Sequence, residues 1–144
     1  DAIAYTVKNY KPSRLIDIAT LTGACVVALG HDYTGLVTTD VDLSRQLVHS
    51  SNETDDRVWR LPNYPEIKEA VKSRVADIKN VGAGRWGGAI TAGKFLEEFV
   101  DGKPWVHMDI AGPAFLDSSK PFLDAGGSGA YVRTLVEVAR VGSS

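Results

Sequence analysis

Apolar and polar positions alternate along this chain in two periods, helical and extended, and the two take turns. Asp1 to Asn9 carries Ile3, Ala4 and Val7 at helical spacing, and Lys11-Pro12-Ser13 ends that pattern. Leu15 to Thr20 is an apolar, β-branched run of the kind that forms a buried strand. It stops at Thr20-Leu21-Thr22-Gly23, and Cys25 to Leu29 continues as an apolar helix closed by Gly30. Gly35 to Thr39 reads as a second strand. Asp40 then caps a helix through Leu43, Leu47 and Val48. Val58 to Pro62 is a short apolar stretch, and Pro65-Glu66 opens a polar helix holding Ile67, Ala70 and Val71. Val75 to Ile78 reads as a weaker strand, Gly82 to Gly88 as a glycine-rich loop, and Ile90 to Val100 as an amphipathic helix. Trp105 to Ile110 is another strand, ending at Ala111-Gly112-Pro113; Phe115 to Gly129 is a long loop and Ala130 to Val141 a closing helix. Alternation of this kind predicts an α/β fold, a largely parallel sheet flanked by helices on both faces.

With 144 residues the chain has room for one domain, with a core burying roughly two-thirds of the unfolded surface. Sixteen basic residues against eighteen acidic ones leave neither a nucleic-acid footprint nor an acidic tail. Cys25 is the single cysteine, which rules out an intrachain disulfide and favours a reducing compartment, hence the cytoplasm. No apolar run approaches the roughly 18 residues needed to cross a bilayer, so no membrane association is expected. The first residues, Asp1-Ala2-Ile3-Ala4, read as the middle of an amphipathic helix, and the chain is expected to be a fragment of something longer.

The chemistry is sparse. A strand delivering its C-terminal end to a helix start at Thr20–Gly23 is where open α/β sheets place ligands. Gly23, lacking a Cβ, allows close approach there. Gly82-Ala83-Gly84-Arg85-Trp86-Gly87 fits G-x-G-x-x-G, with Asp109 at the end of the next strand as a ribose-binding carboxylate. A nucleotide-dependent oxidoreductase is one reading of this loop. Against it, the preceding strand carries Asp77 and Lys79, and Arg85-Trp86 would crowd the turn; a mobile or substrate-facing loop is the plainer reading. His107 and Asp109 share one strand face but make only half of a metal site. His107, His31 and His49 are read as structural, or as supports behind a site. Cys25 is read as core, because a reactive thiolate needs exposed, electropositive surroundings. Asp17 sits inside an apolar strand and needs a hydrogen-bonded partner. A non-catalytic binding protein is the remaining alternative, and the near-neutral charge gives it no support.

Asp17-Ile18-Ala19-Thr20-Leu21-Thr22-Gly23-Ala24 with Ala28-Leu29-Gly30 resembles the leucyl aminopeptidase (cytosol aminopeptidase) family. The likeness continues at Asp56-Arg57-Val58-Trp59-Arg60-Leu61-Pro62, Ala76-Asp77-Ile78-Lys79-Asn80, Gly88-Ala89-Ile90-Thr91-Ala92, Trp105 to Gly112 and Arg133-Thr134-Leu135. The resemblance implies a two-metal exopeptidase that releases N-terminal residues, Leu preferred, from peptides, with paired Mn or Zn ions polarising the scissile carbonyl and supplying the hydroxide. It implies that residues 1–144 are the C-terminal portion of the catalytic domain. The metal ligands and the N-T-D-A-E-G-R signature are expected immediately upstream of Asp1. No catalytic residue and no metal ligand therefore maps onto this chain, no ion is expected bound to it, and activity is not expected of it alone. What maps is a substrate wall: Thr20, Leu21, Thr22 and Gly23 offering main-chain hydrogen bonds, with Leu21's amide helping to position a bicarbonate, and Ala111 and Ala114 lining the pocket for the first side chain. The expected partners are a peptide and further copies of the chain, in a hexamer; nucleic acid is not expected.

Overall fold

The computed structural model describes residues 1–141. A four-stranded sheet forms from β1 (Leu15–Ala19), β2 (Thr34–Thr38), β3 (Val58–Arg60) and β4 (Trp105–Asp109), in the order β1-β4-β2-β3. β1 runs parallel to β4 and β2 parallel to β3, while β2 and β4 are antiparallel. The sheet is thus mainly parallel, with one reversal at its centre. β2 and β4 are buried along their whole length, whereas β1 is half-buried at every position.

Side-chain alternation on β4 divides the core. Val106 and Met108 join Leu36 on one face, against Leu43 and Leu47 of α3 (Val41–Glu53) and Val138 of α5 (Val132–Val141). Trp105 points to the other face with Val37 of β2, where Ile3 of α1 (Ala2–Tyr10) and Leu96 of α4 (Gly88–Glu97) pack. α2 (Gly23–Leu29) lies on this second face too, since a Cβ at Gly35 would sit 2.9 Å from the Cys25 sulfur. Helices cover both faces, as the pattern predicts.

The Asp40 cap forms as the sequence implies, and Thr22 supplies a second one. Asp40 Oδ1 accepts the Leu43 N–H at 2.7 Å, and Thr22 Oγ1 accepts the Cys25 N–H at 3.0 Å. Gly30 closes α2 at φ +72°, giving its N–H to Val26 O at 2.8 Å. Small residues set the helix spacing: a Cβ at Gly93 would lie 2.7 Å from the Val37 methyls, so α4 rests directly on β2.

Three expectations are corrected. Val75–Ile78 forms no strand; Ile78 makes a single bridge to Lys72, and Val75 is 97% exposed. A short run interrupted by Asp77 and flanked by Arg74 and Lys79 finds no sheet to bury it. The polar helix is a 3-10 helix, Pro65–Val71, and the loop from Phe115 contains a two-residue ladder, β5 (Phe115–Leu116) with β6 (Gly126–Gly127).

Candidate substrate-binding site

At the C-terminal end of β4, Asp109 is 1% exposed and surrounded by donors. Its Oδ1 accepts the N–H groups of Leu21 at 3.1 Å, Thr22 at 3.4 Å and Ala111 at 3.2 Å. Its Oδ2 accepts the Thr22 hydroxyl at 2.7 Å. That hydroxyl is the same group that caps α2, so one carboxylate ties the end of β1, the start of α2 and the turn after β4 into a single unit. Charge-assisted bonds of this kind are about twice as strong as neutral ones.

The residues before it on both strands brace this unit. Asp17 Oδ2 accepts the Trp105 indole N–H at 2.6 Å, and its Oδ1 lies 2.7 Å from His107 Nδ1. A carboxylate can only accept, so the His107 proton sits on Nδ1. Asp17 thus has the partners its place in an apolar strand demands. His107 is buried, and its Nε2 has no hydrogen-bond partner among the described residues. Cys25 is buried as expected, with Sγ 3.7 Å from Asp109 O; burial pushes its thiol pKa up, and the Asp109 charge adds to this.

The predicted wall residues divide into held and offered groups. The structure brings Leu21, Thr22 and Ala111 to one carboxylate. Ala114 lies a turn further on, donating its N–H to Ile110 O and accepting from Ser128 N, each at 3.0 Å. Gly112 between them is pressed against the Gly30 carbonyl, where no Cβ fits. Thr20, Leu21 and Gly23 are exposed, Leu21 at 37%. The Leu21 N–H is given to Asp109, so a bicarbonate at Leu21 would share it. Gly23 is the telling position. It is not among the residues at positive φ, and an ideal Cβ there would meet nothing within 4 Å. Neither backbone strain nor internal packing requires glycine at 23.

A cavity of about 450 Å³ opens beside Leu21 and Thr22, and its other walls include Asn80, Val81, Arg85, Trp86 and Phe95. The glycine-rich loop therefore faces the wall. The strand that a dinucleotide fingerprint needs before its first glycine is not formed, which removes the structural basis of the oxidoreductase reading. Sequence reasoning missed Asn80, Val81 and Phe95; the one signal was the place of Asn80 at the end of a block of the resemblance, just before that loop. It also weighed Asp109 only as a ribose-binding carboxylate or half of a metal pair, without identifying the loop it holds.

Among the described residues no three His, Cys, Asp or Glu side chains gather to hold a metal ion. The two carboxylates nearest the wall, Asp17 and Asp109, are taken up by protein donors. The described residues do not by themselves fit a metal centre.

Residues 1–136 match the sequence profile of the cytosol aminopeptidase family, catalytic domain. An α/β fold with an exposed loop at a strand end, and that match, define the class: this chain belongs to the cytosol aminopeptidase family. A probable cytosol aminopeptidase of Rhodopirellula baltica is 57% identical over 126 residues, 88% of this chain and 25% of the relative. One of Alkaliphilus metalliredigens is 48% identical over 140 residues, 97% of this chain and 28% of the relative. Among solved structures, a tomato leucine aminopeptidase mutant superposes with a TM-score of 0.87 at 42% identity, over 97% of this chain and 27% of that one. The bottromycin maturation enzyme BotP in complex with Mn gives 0.90 at 35% identity, over 100% and 32%. The chain thus spans about a quarter to a third of the length of these relatives. No helix among the described residues is long and apolar enough to cross a membrane.

Proposed function

We propose that this chain is the C-terminal portion of the catalytic domain of a two-metal aminopeptidase that releases N-terminal residues, Leu preferred, from peptides, and that it supplies the substrate wall. Gly23 carries the reading. It is a glycine that the fold does not need, exposed on a loop locked in place by Asp109, at a strand end and beside a cavity. A peptide backbone lying along Thr20–Gly23 is what would require the missing Cβ. Ala111, fixed by the same carboxylate, and Ala114 would line the pocket for the first side chain. The family match supports the reaction class, and the Mn complex of BotP supports divalent ions, Mn or Zn, held by residues outside this chain. When bound, such ions polarise the scissile carbonyl and supply a hydroxide. This chain's share is to orient the peptide, because positioning by itself contributes much of a rate enhancement. The half-buried β1, whose outer edge pairs with no strand among the described residues, supports its place inside a larger sheet. The hexameric assembly and the cytoplasmic location belong to the same proposal.

The direct test compares a polypeptide of these 144 residues with the full-length parent. The parent should hydrolyse leucine p-nitroanilide when supplied with Mn or Zn, while the shorter chain should turn over nothing and bind no ion tightly. Robust turnover by the short chain, or two tightly held ions per chain, would place the centre among the residues described above and sink the wall assignment.

Ala111→Phe in the parent probes the pocket. A ring placed beside the Asp109-held turn should cut kcat/KM for Leu-initiated peptides by roughly five- to 150-fold, since overpacking a closed site costs about 1–3 kcal/mol. Gly- and Ala-initiated peptides need less room and should lose less. Kinetics across a short series of first residues decides it. An unchanged preference removes Ala111 from the pocket.

A further inference from the structure

The cavity beside Leu21 and Thr22 has one charged side chain on its walls, Arg85, and no acidic one. Among the described residues no carboxylate pairs with this guanidinium. It lies instead 4.9 Å over the Trp86 ring, and Trp86 is 76% exposed. Stacking on an indole holds a guanidinium in a defined plane while leaving its N–H fork free. Gly84 at φ +75° and Gly87 at φ +61° supply the turns that bring Arg85 and Trp86 out to this position. The rest of the wall is largely apolar, from Leu21, Val81, Phe95 and Leu96. An unpaired, oriented cation at the rim of an apolar cavity complements an apolar group that carries an anion.

Resting on the aminopeptidase reading, we propose that Arg85 receives the free α-carboxylate of a dipeptide whose second side chain enters this cavity. Arg85 is then a specificity-determining residue, and the preferred substrates are dipeptides ending in an apolar residue. The geometry of a peptide supports this. With the first residue on the Thr20–Gly23 wall, the carboxylate of a dipeptide follows the scissile bond by one residue, about 3.5 Å of chain. In a longer peptide an uncharged amide occupies that place, and the guanidinium fork gains no bidentate partner there.

The test uses the full-length parent with its metal, and three substrates: leucine p-nitroanilide, Leu-Phe, and Leu-Phe amide. The wild type should favour Leu-Phe over its amide by about fivefold in kcat/KM, the scale of a partly exposed ion pair of roughly 1 kcal/mol, expressed mainly in KM. The ratio should fall toward one in Arg85→Gln, survive in part in Arg85→Lys, and shrink with added salt in the wild type. Because each ratio is internal to one variant, a general loss of activity does not disturb it. Turnover of all three substrates with the same ratio in wild type and Arg85→Gln overturns the Arg85 assignment alone. Failure of the wild type on all three overturns the aminopeptidase reading, and this proposal with it.

Discussion

Asp109→Ala should lower the stability of the folded chain by about 3–6 kcal/mol, the loss of two or more hydrogen bonds to a charged acceptor. Total stabilities of about 5–15 kcal/mol are usual, so this is a large fraction. The reason is connectivity. Leu21, Thr22 and Ala111 would each lose their N–H acceptor, and the Thr22 hydroxyl would lose its own. With Thr22 released, the cap of α2 loosens as well. Asp109→Asn keeps an acceptor at Oδ1 but replaces the second oxygen by a donor facing the Thr22 hydroxyl. It should fall between the Ala variant and the wild type. Thermal melts of the three proteins measure this, with kcat/KM of the parent alongside. A melting temperature in Asp109→Ala within about 3 °C of wild type would show that the loop is held by something other than this carboxylate.

Gly23→Val in the parent should do the opposite: leave the fold intact and remove the activity. An added Cβ meets nothing within 4 Å and the position imposes no positive φ, so the melting temperature and the metal content should stay near those of the wild type. Two methyls would stand where the peptide backbone is proposed to lie. Displacing a substrate by about 1 Å can cost 100-fold, and a loss of at least that size in kcat/KM is expected. Gly23→Ala should fall in between. If Gly23→Val retains full activity toward leucine p-nitroanilide, the substrate wall is misassigned. The contrast between the two variants matters, because Asp109 acts by holding the loop and Gly23 by leaving it bare.

Much of the fold was legible in the order of residues, because the signals involved are local. The 3.6-residue pattern of α3, the Asp40 cap and the Gly30 stop depend on neighbours within a few positions. The apolar run of β1 and the abrupt Thr20-Leu21-Thr22-Gly23 that follows it mark a strand delivering its end to a helix, and that is where the candidate site lies. The need of Asp17 for a partner was equally plain, from the cost of an unpaired carboxylate in an apolar strand.

Sequence by itself determined, then, the α/β class, the Asp40 cap, the strand-to-helix turn at Thr20–Gly23 and the family resemblance. Tertiary structure decided what depends on residues far apart in the chain. It chose Trp105 and His107, 88 and 90 positions away, as the partners of Asp17. It set Asp109 under Leu21 and Thr22, and it turned Arg85 and Trp86 onto the same cavity. Strand direction was its decision too. β2 and β4 are buried on both faces, and a fully buried strand reads the same whether it pairs parallel or antiparallel, so their reversal left no mark in the pattern. Val75–Ile78 failed as a strand for a related reason: apolar character in a short segment stabilises a strand only when the packed structure provides a sheet to receive it.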